Sequence, residues 1–235
     1  MSISVIEKKI KSKIRVGERV AVIENIKYPY FESEKHTKLC KKMNEFYSSV
    51  AEKYSYHARG KLLKKAKNIK GTSSGPYHVG MNYTIALCDD RILSIVLDVT
   101  FSHGKNIRTR RFSQMWSTQN ADILPLCEVI KSDRATKKKI LSLVTACAKE
   151  NAENPAFGYF ENYLAGMSRS FDTRNCFIVP KGICFFINAG ILAPLKYGAC
   201  NFVMTYGKLK GMLCDEFEKK NVENAIQNAD IVNNI

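Results

Sequence analysis

The chain contains a nucleophile, a base and an acid close together, with Ser102-His103-Gly104 following soon after Asp98. Neighbours on a strand point to opposite faces, however, and catalytic triads assemble from distant segments. The residues alone therefore read His103 as a turn histidine. An uncharacterised hydrolase using His103 is the alternative, and it requires a concave pocket with a perturbed acid. Asp89-Asp90 and Asp215-Glu216 are adjacent carboxylates, but a metal site needs several converging oxygens. His36, His57, His78 and His103 show no ligand spacing with cysteine, so no metal is expected. There is no P-loop, dinucleotide fingerprint, H-E-x-x-H or G-x-S-x-G motif. The glycine-flanked run Gly71-Thr72-Ser73-Ser74-Gly75 lacks the Gly-Lys-Ser/Thr ending that cradles phosphate. We therefore assign no catalytic residue and no cofactor, and expect that the chain is not an enzyme.

Binding chemistry is better supplied. A strand expected from Ile107 to Trp116 places Arg108, Arg110 and Phe112 on one face, because side-chain direction alternates. Trp116, the only tryptophan, ends that strand. A tryptophan beside arginines is a common anchor composition. Packing in the core is the opposed reading of Trp116, and both stay open. Tyr197, between Ala193-Pro194 and a turn glycine at Gly198, either packs over a sheet or lines a groove. With His103, these are the candidate binding residues.

The strongest compositional signal is charge. Lysine and arginine number 37 against 22 aspartate and glutamate, a formal net charge of +15. Such a chain is attracted to nucleic acid, anionic lipid or anionic wall polymer. The basic clusters are Lys8 to Arg15, Lys61 to Lys70, Arg108 to Arg111 and Lys137 to Lys139. Lysine outnumbers arginine, the better fork for phosphate, so solvated faces explain much of the excess. The eight cysteines form no C-x-x-C pair, and several, such as Cys147 and Cys184, stand in apolar surroundings. They read as reduced, structural thiols. With no apolar run of spanning length and no secretory block, the chain as written is expected in the cytoplasm. A chain trimmed of a leader would instead be extracytoplasmic.

The elements that position these residues follow from periodicity. Residues 16–31 read as a first strand, which Pro29 should end or hold at an edge. Glu32 to about Tyr56 reads as a helix with Leu39, Met43, Phe46, Val50 and Tyr54 inward and Ser33 as N-cap. Gly60 to Gly75 reads as a lysine-rich loop. Tyr77–Cys88 and Ile92–Phe101, split by Asp89-Asp90-Arg91, read as a hairpin. Asp133 or Ser132 caps a helix to about Lys149, buried through Ile140, Leu143, Val144, Cys147 and Ala148. Strands at Ile183–Ile187 and Cys200–Tyr206 and a helix from near Lys208 complete the pattern. The tail after Phe217 is polar and is expected to be frayed or disordered.

The expected fold is α+β, with antiparallel sheet segments and long helices packed on one face; two small sub-domains are compatible with it. The expected organisation is a basic segment over 1–15, an α+β half over 16–130, a second half over 131–217 and a polar tail over 218–235.

Short motifs along residues 20 to 215 resemble the RsiV-type domain of unknown function. That family forms the extracytoplasmic part of an anti-sigma factor and accompanies some peptidoglycan deacetylases. Tyr28, Pro29, Phe31 and Asn44 match its first half, Leu93-Ser94-Ile95 and Ser102-His103-Gly104 its middle. Gly182, Ile183, Phe185, Ala193, Pro194, Tyr197, Gly198, Phe202, Tyr206 and Leu209 match its end. The Gly-Gly-x-His-Gly turn of relatives is reduced here, and membrane anchor, sigma-binding segment and deacetylase domain are not seen. The resemblance implies a non-enzymatic binding or sensing module whose partner is an unknown protein or wall-derived ligand, with nucleic acid as the alternative. Lysozyme, the partner known for RsiV, is strongly basic. A chain at +15 repels it over a Debye length of about 8–10 Å, so lysozyme is not the expected partner here.

Overall fold

The structure is a computed structural model that describes residues 3–69 and 75–219. Expectations for Lys70–Ser74 and for the tail from Lys220 lie outside the described residues. The chain divides into two compact units, Met1–Asp122 and Ile123–Ile235.

The first unit opens with strands β1 (Ser4–Val16) and β2 (Arg19–Glu32), paired antiparallel around a Gly17 turn at φ +59°. The basic segment at the start is thus the first strand. Its lysines alternate with Ile10, Ser12, Ile14 and Val16, and the apolar members of that row pack on the core. Helix α1 (Thr37–His57) continues without a break through a π-helical turn (Ala58–Leu62) into α2 (Leu63–Lys67). The loop expected from Gly60 is therefore helical as far as Lys67. Ala58, Leu62 and Ala66 recur at four-residue spacing and are all buried, so packing overrides the glycine. Helix α1 starts after His36 with no side-chain cap. Ser33 acts one turn earlier instead, its Oγ accepting from the His36 N–H at 3.2 Å.

Strands β3 (Tyr77–Cys88), β4 (Ile92–His103) and β5 (Asn106–Ser117) form an antiparallel meander. The two-residue β6 (Asp122–Ile123) completes the sheet order β1-β2-β3-β4-β5-β6. The sheet is mixed, because Val22–Ile26 of β2 runs parallel to Tyr77–Met81 of β3. A parallel pair requires a crossover, and α1 to α2 is that crossover. The parallel ladder stops at Ile26, so Pro29 lies where only β1 flanks β2, and the strand runs on to Glu32. Beyond it, Asn44 of α1 accepts from the Phe31 N–H at 2.7 Å and donates to the Phe31 carbonyl at 2.9 Å. A side-chain amide there stands in for a neighbouring strand.

Helix α1 packs on this sheet through Leu39, Cys40, Met43, Tyr47 and Ala51, with Phe46, Val50 and Tyr54 partly buried at the margin. One charged side chain enters the same face. Glu24 is 1% exposed and accepts from Ser55 Oγ at 2.7 Å and Arg59 Nη2 at 3.2 Å, and closely from Ser12 Oγ. Burial pushes its carboxyl up, but those hydrogen bonds and the Arg59 charge outweigh it and hold the pKa below the ordinary value. A lowered pKa contributes stability above the unfolded value of about 4.3 that is lost as pH falls through the folded value. Glu24→Gln should cost about 1–3 kcal/mol near neutrality. In urea titrations the gap to the wild type should narrow between pH 7 and pH 3, and a constant gap would show that the carboxylate is not held ionised.

The second unit carries α3 (Arg134–Ala152), α4 (Tyr163–Ser170) and an antiparallel sheet of β7 (Cys176–Val179), β8 (Gly182–Ile187) and β9 (Cys200–Thr205). Asp133 caps α3 by accepting from the Thr136 N–H at 2.8 Å. The two strands expected here pair directly, and every residue of the central β8 is buried. The helix expected near Lys208 begins only at Asp215. Turns run from Tyr206 to Met212, and Leu213 bridges to Ile130.

All eight cysteines are free, with Cys40, Cys176 and Cys184 buried. Burial, with the nearby Cys184, pushes the Cys176 thiol up to about 12, which keeps it inert. No helix among the described residues is long and apolar enough to cross a membrane.

Candidate functional site

At one end of the first unit, where β3, β4 and β5 pass the C-terminal part of α1, lies a cleft of about 930 Å³. Its floor is set by strand register. Tyr77 lies opposite His103, His103 opposite Asn106, and Phe101 opposite Arg108, so these side chains share one face of the sheet. The Tyr77 and His103 rings stack at 4.0 Å with 10° between planes. His103 Nε2 is shielded there and has no hydrogen-bond partner among the described residues. An unmet buried polar atom costs about 1–3 kcal/mol.

The walls come from the helical run. Lys53, Tyr54, Tyr56 and His57 belong to α1, Lys61 and Leu62 to the π-helical turn, and Lys65 to α2. The π-helical turn is held from below, because its Arg59 reaches the buried Glu24. His57 meets the Phe101 ring edge-on at 5.4 Å. Burial, then the charges of Lys61 and Lys65, lower its pKa below the ordinary histidine value.

The lining has a marked bias. Lys53, Lys61, Lys65 and Arg108 contribute positive charge, and among the described residues no aspartate or glutamate lines the cleft. None of these four cations forms an ion pair among the described residues. The aromatic component is as prominent, and Tyr56 stands 82% exposed.

The candidate residues separate on this frame. His103 and Arg108 line the cleft. Arg110 and Phe112 lie further along β5, exposed, with the guanidinium 5.5 Å from the ring centroid. Trp116 shares their parity but is 2% exposed, and its indole N–H donates to the Tyr47 hydroxyl at 3.0 Å. It is a core residue, which corrects the anchor reading. Helix α1 covers that end of β5 and leaves the other open. Tyr197 belongs to the second unit, and its ring occupies the space beside Gly158. A Cβ added to that glycine would stand 2.5 Å from Tyr197 Cζ. Gly198 takes φ +72°, the angle its place in the turn implied.

The Ser102, His103 and Asp98 combination does not assemble. Asp98 lies on the opposite face of β4 from His103 and is held by Arg111, Nε to Oδ1 at 2.8 Å and Nη2 to Oδ2 at 2.6 Å. His103 ends a strand rather than lying in the turn, which is Gly104-Lys105. Among the described residues no three metal-ligating side chains are gathered. Sequence reasoning missed the helical wall of the cleft. The signal available was the buried Ala58, Leu62 and Ala66 row, obscured by Gly60 and the lysines.

No protein-family model matches the chain, and no curated protein matches it. Solved structures do. A member of the DUF3298 family from Bacteroides fragilis superposes with a TM-score of 0.65 at 14% identity, over 91% of this chain and 94% of that one. A DUF3298 family protein from Pseudomonas aeruginosa gives a TM-score of 0.57 at 11% identity, over 91% and 96%. At these identities the likeness is one of fold.

Proposed function

We propose that the chain is a non-enzymatic binding or sensing module, of the kind the RsiV-like resemblance implies, and that it takes an anionic ligand in the cleft of its first unit. The observation that carries this reading is the lining: cations without ion-pair partners among the described residues, and aromatic rings, with no carboxylate beside them. Such a site attracts negative charge and offers flat apolar surface, but presents no acid to act with its histidines. The same charge disfavours a basic protein such as lysozyme as partner.

The probe for this reading is 1-anilinonaphthalene-8-sulfonate, which joins flat rings to one anion. Saturable fluorescence enhancement with one molecule per chain is expected. A Lys61→Glu, Arg108→Glu double variant should bind it at least about tenfold more weakly, since two favourable charge contacts become repulsive. Equal binding by both proteins would remove the cleft as the site.

A second reading, polyanion binding, is favoured by the exposed row Lys9, Lys11, Lys13 and Arg15 on β1. It requires retention on heparin that falls steeply with salt as counterions are released.

A further inference from the structure

We propose that the ligand of the cleft is a nucleotide: a flat heteroaromatic ring carrying two or more phosphate charges. This rests on the anion-binding reading above and names its ligand class. The first argument is charge. Four cations without ion-pair partners among the described residues converge on one cleft. Burial and the positive charges of Lys61 and Lys65 lower the His57 pKa, in keeping with a cationic cleft. A single negative charge leaves most of that positive charge uncompensated, whereas a diphosphate matches it. The second argument is surface. Tyr56 stands almost bare at the wall, a position that gains from being covered by another π-face. The third is size, since about 930 Å³ suits a small molecule rather than a single ion. The strand end also presents Asn106, whose side-chain amide can read the polar edge of a base.

Phosphate and ring thus engage different residues of the cleft. The lysines of the π-helical turn and α2, with Arg108 across from them, hold the phosphates. Tyr56 stacks on the base.

The test is calorimetric titration of the full chain with ADP, adenosine, pyrophosphate and a short single-stranded oligodeoxynucleotide at fixed salt. ADP is expected to bind at least about tenfold more tightly than adenosine or pyrophosphate. Tyr56→Ala should weaken ADP by about tenfold, the scale of one base stacked on an aromatic ring, while leaving pyrophosphate unchanged. Arg108→Gln should weaken ADP and pyrophosphate together. Both side chains are exposed, and circular dichroism checks that the variants are folded. Pyrophosphate binding as tightly as ADP, or an oligonucleotide binding more tightly than ADP, would overturn the nucleotide assignment. So would adenosine matching ADP. Absence of ADP binding while the naphthalene sulfonate still depends on Lys61 and Arg108 would overturn the ligand class but leave the anion site standing. Loss of both would remove the site itself.

Discussion

Trp116→Ala is expected to destabilise the first unit by about 3–5 kcal/mol, a large share of the roughly 5–15 kcal/mol typical of a whole domain. The indole touches Phe46 edge-on at 5.6 Å and Tyr47 at 6.3 Å, and Tyr47 in turn lies 5.9 Å from Phe31. Alanine removes the centre of that cluster and leaves the buried Tyr47 hydroxyl without its N–H donor. Trp116→Phe keeps most of the ring and should cost markedly less. Urea unfolding followed by circular dichroism measures both, since the fluorophore itself is gone. A change below about 0.5 kcal/mol for the alanine variant is the value expected of a surface residue and would contradict the packing described.

Gly182→Ala is expected to disrupt the small sheet of the second unit. A Cβ at this position would stand 2.0 Å from the Met204 carbonyl oxygen and 2.8 Å from the Thr205 Cα. These are backbone atoms and cannot swing aside, so β9 must retreat from β8. The strands are paired at this point, Gly182 with Thr205, and their inner residues include Ile183, Phe202 and Met204, all buried. The cost should reach or exceed the upper end of the range usual for overpacking, about 3 kcal/mol. Hydrogen exchange should show β9 amides losing protection. Gly207→Ala provides the control, because a Cβ there meets nothing within 4 Å. Equal protection in both variants would mean that the close approach is not real.

Local patterns were the legible part of this fold. The β3–β4 hairpin follows from two alternating runs around Asp89-Asp90-Arg91, and Asp89 Oδ1 indeed accepts the Arg91 and Ile92 N–H groups in the turn. The α3 cap at Asp133 and the strands at Gly182 and Cys200 were readable for the same reason. Non-local decisions were not. Nothing near Val22 or Tyr77 announces that they pair in parallel, because the partner arrives only after a helical crossover. Phe112 and Trp116 share one face of β5, and sequence cannot say which is covered. That is settled by Tyr47 on a distant helix. Lysine density hid two regular elements, β1 and the run through Lys67, since charged residues filled the outward positions of each. The cleft was half visible: His103 and Arg108 stood out as residue types, while its helical wall did not.

Among the described residues β1 is an edge strand of thirteen residues, with β2 as its one neighbour in the sheet order. Lys9, Lys11, Lys13 and Arg15 are exposed along it, so two copies paired edge to edge with these residues opposite one another would bring like charges together. Charged side chains along an edge strand are one of the means by which proteins discourage edge-to-edge pairing.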